Sequence, residues 1–464
     1  MIRTRPTSPR RVLACIAIGA LAVAACGADV EDGALPAAPA PVVEAPAEPP
    51  PAAVPEGRGV TAEACVQPAG GRVTPGNGCI YLGVLAGLSL DSAGEFAPLA
   101  QRAVVDFWAR VNAAGGIGGL DVDVETFSRD TADDPVLHLE RYREISQYVL
   151  LVAHSWGTST TLALLDALDQ DRMLVAPVSE WSGLRSPEVA PWVLPTSAHT
   201  ACLAPMLGLD WFTEQVRPID GVFAVVGGDL VGDDVVAGTR TWAERNDVTF
   251  LGSSVRDPSR EPEGSGEAVV TAIVESGADV VVLGADPATT ADVVLGVAAA
   301  VPPGSVLFVG VGRSWSTSAL QTPAAAALMG FYTHVAAWED FVGDAPGHAA
   351  MREAFGDSLP LNSGYAQGWI GQYPVRALLE AMVAAGDASP ESLARLVPGL
   401  DVSYEGILQD PRSGSDPSVT VDHTAVIGRV NPESENGLDT LVDGYRGPTA
   451  AAFDHVGACV APGL

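Results

Sequence analysis

From Cys79 to about residue 309, short runs of Val, Ile and Leu alternate with longer stretches that have one apolar and one polar face. The alternation runs twice. In the first series, 80–88, 121–127, 148–153 and 173–177 read as strands, with helices over 96–112, 136–146 and 158–168. The second series follows Trp192, with helices over 204–215, 233–245 and 266–275. Its strands fall at 221–226, 248–251, 280–283 and 306–309, the last two separated by a further helix. A strand that feeds a helix and then another strand returns by a right-handed crossover to a parallel neighbour. The expected fold class is therefore α/β, as two doubly wound lobes. No linker composition separates the two series, so the lobes are expected to be joined by hinge segments. The expected first lobe covers 59–200, with about 339–397 returning to it. The second covers 201–338, with 398–464 partly packing on it. Beyond Pro398 helical patterns are few and turn residues many.

Composition removes several functions. The chain of 464 residues carries 57 acidic and 25 basic residues, for a formal charge of −32, and every basic residue is Arg. Such a surface repels phosphate backbones, so no nucleic-acid partner is expected. A hydrophobic fraction of 47% with 18% charged residues excludes a wholly disordered chain. The seven His are scattered without ligand spacing, and no CxxC occurs, so neither a metal nor a redox site is expected. Gly115, Gly116, Gly118 and Gly119 follow a helix rather than a strand and do not spell a dinucleotide loop; no Walker loop is present. No cofactor is expected.

The N-terminus carries Arg3, Arg5, Arg10 and Arg11 ahead of an apolar run at 12–25. That order predicts a secretory signal peptide over 1–25, its apolar run too short for a comfortable membrane span. The run ends Val23-Ala24-Ala25-Cys26-Gly27, which resembles the lipobox of bacterial lipoproteins. The resemblance implies that Cys26 is lipidated and becomes the mature N-terminus, anchored on the extracytoplasmic face of the cell membrane. Residues 26–58 read as a Pro/Ala-rich tether, since 27–57 holds eight prolines and no aromatic residue. Four further cysteines, Cys65, Cys79, Cys202 and Cys459, suggest disulfides outside the cytoplasm. Three connectivities are open; the short loop favours Cys65–Cys79, which leaves Cys202–Cys459.

Two motifs stand out in the first lobe. Asn112-Ala113-Ala114-Gly115-Gly116-Ile117-Gly118-Gly119 closes the first long helix, and Arg129-Asp130-Thr131-Ala132-Asp133-Asp134-Pro135 follows the next strand. Together they resemble the ABC-transporter substrate-binding proteins of the leucine/isoleucine/valine-binding type, a type I periplasmic binding protein family. The likeness continues to about Ala385, through Asp344-Ala345-Pro346-Gly347-His348 and Gly364-Tyr365-Ala366. It implies a non-enzymatic, monomeric receptor that closes two lobes on a small molecule for an ABC permease and its ATPase. A sensor of the same fold without transport is the alternative.

In that family, hydroxyls and amides at the end of a first-lobe strand hold the ligand carboxylate. Carried over, the resemblance points to Ser155, Gly157, Thr158 and Ser159, with Trp156 as an apolar wall. The end of the next strand adds Ser179, Glu180 and Trp181. An acidic residue after a late second-lobe strand pairs with the ligand ammonium in branched-chain amino acid binders. Here the segment reads Gly310-Val311-Gly312-Arg313-Ser314-Trp315, so Arg313 stands where a carboxylate is expected. An Arg attracts a carboxylate. Asp286 either supplies a negative partner or caps a helix. Trp338 and Tyr365 fall near the lobe boundary and either face the cleft or pack in the core, Tyr365 being taken as a ligand-binding candidate. The implied ligand is amino-acid-like, an amide or a carboxylate.

One enzyme reading competes. Leu150-Leu151-Val152-Ala153-His154-Ser155-Trp156-Gly157 resembles the nucleophile elbow of α/β-hydrolases, with Ser155 as nucleophile and partners sought in Asp422, His423, Asp454 and His455. Ala153 stands where the elbow needs Gly, and no oxyanion loop precedes it.

Overall fold

The computed structural model describes residues 54–88, 96–196, 199–257, 265–338, 343–356, 363–408, 421–455 and 457–461. Expectations for Cys26, the signal peptide and most of the tether lie outside these residues. The first lobe is built on β1 (Val60–Thr61), β2 (Gly78–Tyr81), β3 (Gly83–Ala86), β4 (Leu120–Asp123), β5 (Ser128–Asp130), β6 (Val152–Trp156) and β7 (Val175–Val178). They form a three-stranded sheet, β1-β2-β4, and a four-stranded sheet, β5-β3-β6-β7. The second lobe adds β8 (Gly221–Gly227), β9 (Thr249–Arg256), β10 (Val280–Gly284), β11 (Leu307–Val311), β12 (Tyr332–Ala336), β13 (Ala425–Val430) and β14 (Leu438–Tyr445). These make one seven-stranded sheet in the order β14-β13-β12-β11-β10-β8-β9. All pairs are parallel except β1–β2, β12–β13 and β13–β14.

Two strands expected to be continuous are broken, and a carboxylate explains one break. The run 121–127 stops because the Asp123 carboxylate accepts from the backbone of Glu125, Thr126 and Gln67 and from the Thr126 hydroxyl. A side chain that satisfies nearby backbone donors competes with the sheet ladder. The run 80–88 divides at Leu82, where the chain passes from β2 to β3 with a register shift at Gly83/Val84. The expected strand 148–153 is displaced to β6, because Leu150 and Leu151 mark burial rather than ladder position.

Both motifs have a structural cause. Asn112 fastens the helix Phe96–Ala113 to β4, donating to the Val122 carbonyl and accepting from the Val122 amide. Gly116 must be glycine, since φ is 73° and a β-carbon there would lie 2.2 Å from the Leu120 carbonyl oxygen. Asp134 caps the helix Pro135–Ile145 by accepting from the Val136 and Leu137 amides, with Pro135 in the first helical position.

The first core gathers Phe107, Trp108, Trp369 and Tyr373, with Phe107 edge-on to the other three. Leu400, Val402, Tyr404, Ile407 and Leu408, from the start of the segment expected to pack partly on the second lobe, join this core. The second-lobe cores lie on the two faces of the long sheet. They include Val421, Ala425, Ile427 and Ala450 from the tail, whose two antiparallel strands the sequence did not reveal. The disulfides are Cys65–Cys79 and Cys202–Cys459.

Candidate functional site

A cavity of about 670 Å³ opens where the carboxyl ends of the strands of both lobes face each other. Ligands in open α/β sheets sit at this end, where side chains follow the last ladder residue. Trp156, Gly157, Thr158 and Ser159 follow β6, and Ser179 and Glu180 follow β7. The second lobe supplies Asp229 after β8, Asp257 after β9, Asp286 after β10 and Arg313 after β11. Trp338 also lines the space.

Local bonds fix the first-lobe wall. Gly157 takes φ of 95° and donates its amide to the Val178 carbonyl, binding the two loops together. Thr158 Oγ1 and Ser179 Oγ share a hydrogen bond of 2.6 Å, and Ser179 Oγ accepts from the Trp181 amide. Glu180 donates nothing and lies against Gly312 of the opposite lobe, whose β-carbon position is 2.5 Å from Glu180 Oε2. Burial raises the Glu180 carboxyl above the ordinary carboxylate value, and the Arg313 charge draws it part of the way back. Burial alone raises Asp133, a further wall residue.

Three sequence-named residues stand behind the wall. Ser155 is fully buried in β6, held by His138 Nε2 at 3.0 Å and Thr161 Oγ1 at 2.8 Å. Strand residues alternate faces, so Ser155 points inward where its neighbour Trp156 reaches the cavity. Trp181 is buried beneath Gly183. Tyr365 is buried against Phe355 and Trp369 and donates to Asp106 Oδ2 at 2.7 Å. Ser155 also fails the hydrolase reading. His138 Nδ1 has no hydrogen-bond partner among the described residues, so no acid orients the pair. Burial pushes His138 down to about 4.

The second-lobe residues are engaged within the chain, Asp286 in the capping role that the sequence left open. Arg313 is partly exposed and paired through Nη1 with Asp229 Oδ2 at 2.6 Å. Asp286 caps the helix Pro287–Ala300, accepting from the Thr289 amide and hydroxyl. Asp133, Asp229, Asp257, Ser363 and Gln367 were missed. The strand-end rule alone would have found Asp229, which follows Gly227-Gly228 as Thr158 follows Gly157.

The described residues thus form two α/β lobes with a cavity between their strand ends. The profile of the periplasmic binding protein family matches residues 80–437, and the chain belongs to that family. No curated protein matches the sequence at a significant level. Among solved structures, the fold is similar to a fatty acid ABC transporter substrate-binding protein from Thermomonospora curvata, at TM-score 0.74 and 20% identity. That match covers 87% of this chain and 98% of the other. It is also similar to a branched chain amino acid ABC transporter protein from Thermus thermophilus with bound valine, at TM-score 0.68 and 13% identity over 81% and 98% of the two chains. A solute binding protein from R. palustris in complex with 4-hydroxybenzoate gives TM-score 0.65 and 16% identity over 81% and 99%. The family consists of substrate-binding proteins of ABC transporters, not enzymes, and works outside the cytoplasm.

Proposed function

We propose that this chain captures a small amino-acid-like, amide or carboxylate solute between its lobes and delivers it to an ABC permease from a lipid anchor at Cys26. The observation that supports capture is the wall itself: Thr158 and Ser179 from one lobe face the same cavity as Arg313 from the other. A ligand shifts a two-state equilibrium only through contacts that differ between the states, so closure needs contact with both lobes. The similar structures hold a range of ligand chemistries on one fold, so the cavity wall rather than the fold selects the solute.

A thermal-shift panel of amino acids, short amides and carboxylates tests the reading. At least one solute is expected to raise the melting temperature. Thr158→Ala or Arg313→Ala is then expected to weaken that solute by about 1.5–3 kcal/mol, roughly one to two decades in affinity. Unchanged affinity in both variants removes those residues from the site. For the anchor, Cys26→Ser is expected to release the protein from membranes on cell fractionation. A variant that remains as firmly in the membrane fraction rules the lipid anchor out.

A further inference from the structure

The cleft continues into a smaller recess of about 40 Å³, and Glu180, Trp338, Ser363 and Gln367 line both spaces. His199, Gly312 and His334 help to enclose it. This volume takes a few water-sized groups, and so the charged end of a ligand rather than its body.

Glu180 stands at the junction, and its carboxylate has no hydrogen bond or ion pair within bonding distance among the described residues. Gly312 covers it with backbone, where any side chain would collide with Oε2. His199 offers a second acceptor. It is only 4% exposed, and its Nε2 is bonded to the Thr424 carbonyl. A carbonyl only accepts, so Nε2 carries the proton and Nδ1 is left as a lone-pair acceptor. Nδ1 has no hydrogen-bond partner among the described residues. Burial lowers the His199 pKa, against the opposing pull of Asp422, and pushes His334 down to about 3. Neither imidazole therefore supplies positive charge to Glu180 at neutral pH.

The wider wall points the same way. Arg313 is the one guanidinium among the described residues lining either space, and its Nη1 is paired with Asp229 rather than with Glu180. Asp133, an exposed residue, is a second wall carboxylate without a hydrogen-bond partner among the described residues. A desolvated carboxylate is costly unless it is paired, and an ammonium offers donors only.

We infer that the indispensable group of the ligand is a protonated amine, seated in this recess with Glu180 as its counter-charge and His199 Nδ1 as an acceptor. The ligand body then lies in the main cavity beside Trp156, Trp338 and Ile370. This rests on the two-lobed capture reading and narrows it, since a carboxylate becomes optional and the amine does not.

The test uses two matched sets: leucine, isopentylamine and 4-methylpentanoate; and phenylalanine, phenethylamine and 3-phenylpropanoate. Each is titrated by calorimetry into the full chain, the Glu180→Gln variant and the His199→Gln variant, with melting curves to show that the variants fold. Amine-bearing probes are expected to bind at least tenfold more tightly than the carboxylate-only member of their set. Glu180→Gln is expected to weaken them about 10- to 100-fold, leaving carboxylate-only probes unchanged or improved. The proposal is overturned if a carboxylate-only probe binds as tightly as its amine partner, if folded Glu180→Gln keeps wild-type amine affinity, or if no amine binds at millimolar concentration. A carboxylate or neutral solute from the wider panel that binds while no amine does overturns the amine assignment alone. A chain that no solute of any class stabilises removes the capture reading as well.

Discussion

Acidifying the purified protein from pH 7 to pH 5 is expected to lower its melting temperature steeply. His138, His154, His334 and His455 are each at most 6% exposed. Burial is the first cause in all four and pushes His138 to about 4 and the other three to about 3. An unfolded histidine titrates near 6.5, so below that pH the unfolded chain takes up protons that the folded chain refuses. Each such group costs about 1.4 kcal/mol per pH unit until its folded pKa is reached. Asp234 acts in the opposite direction. Burial pushes its carboxyl up to about 7, so it gains stability as pH falls from there toward the ordinary carboxylate range. The upward shifts of Glu180, Asp210 and Asp133 have the same sign as Asp234. The histidines outweigh them, leaving a loss of about 2–4 kcal/mol per pH unit between pH 6 and 4. That is a large part of an ordinary domain's stability. His154, whose two ring nitrogens both lack hydrogen-bond partners among the described residues, is the group to change. His154→Leu is expected to flatten the dependence by about one histidine's share. Equal melting temperatures at pH 7 and 5 would contradict the burial argument.

Breaking Cys202–Cys459 is expected to cost about 3–5 kcal/mol in chemical denaturation. The bridge spans 257 residues of sequence, so its loss frees far more of the unfolded chain than loss of Cys65–Cys79, which spans 14. It fixes the C-terminal segment beside the start of the helix Ala204–Gln215. The Cys459 amide donates to Ser182 Oγ, which in turn donates to the buried Asp234. Cys202→Ser therefore loosens the segment that seals this carboxylate. Cys79→Ser is expected to cost less, about 3 kcal/mol or below. A Cys202→Ser variant no less stable than Cys79→Ser would show that the tail is held by packing alone.

The alternation of strands and helices was legible because each parallel strand is a short apolar run with a helix on either side. The glycine turn and the Asp134-Pro135 cap were legible because their backbone geometry admits few other residues. Side-chain direction was not. Ser155 and Trp156 are neighbours on one strand, and only the phase of β6 decides which meets the cavity. Tyr365 lies on a helix whose Ser363, Gln367 and Ile370 line the cleft, a spacing of four and three. Two residues on from Ser363, Tyr365 turns away toward Phe355 and Asp106. The commitment of Arg313 to Asp229 depends on two strand ends far apart in sequence meeting in space, which no local pattern encodes. The same holds for β13, which pairs with β12 about ninety residues earlier across several first-lobe helices, and for β14, which pairs with β13.

Binding of a solute is expected to close the two lobes on it. Small-angle X-ray scattering of the full chain, titrated with the tightest solute from the panel, tests it most directly. The expected result is a radius of gyration that falls on binding and saturates with the calorimetric isotherm. In Glu180→Gln the decrease should require correspondingly more of an amine-bearing solute. A solute that binds stoichiometrically while the scattering curve stays unchanged would contradict capture between lobes.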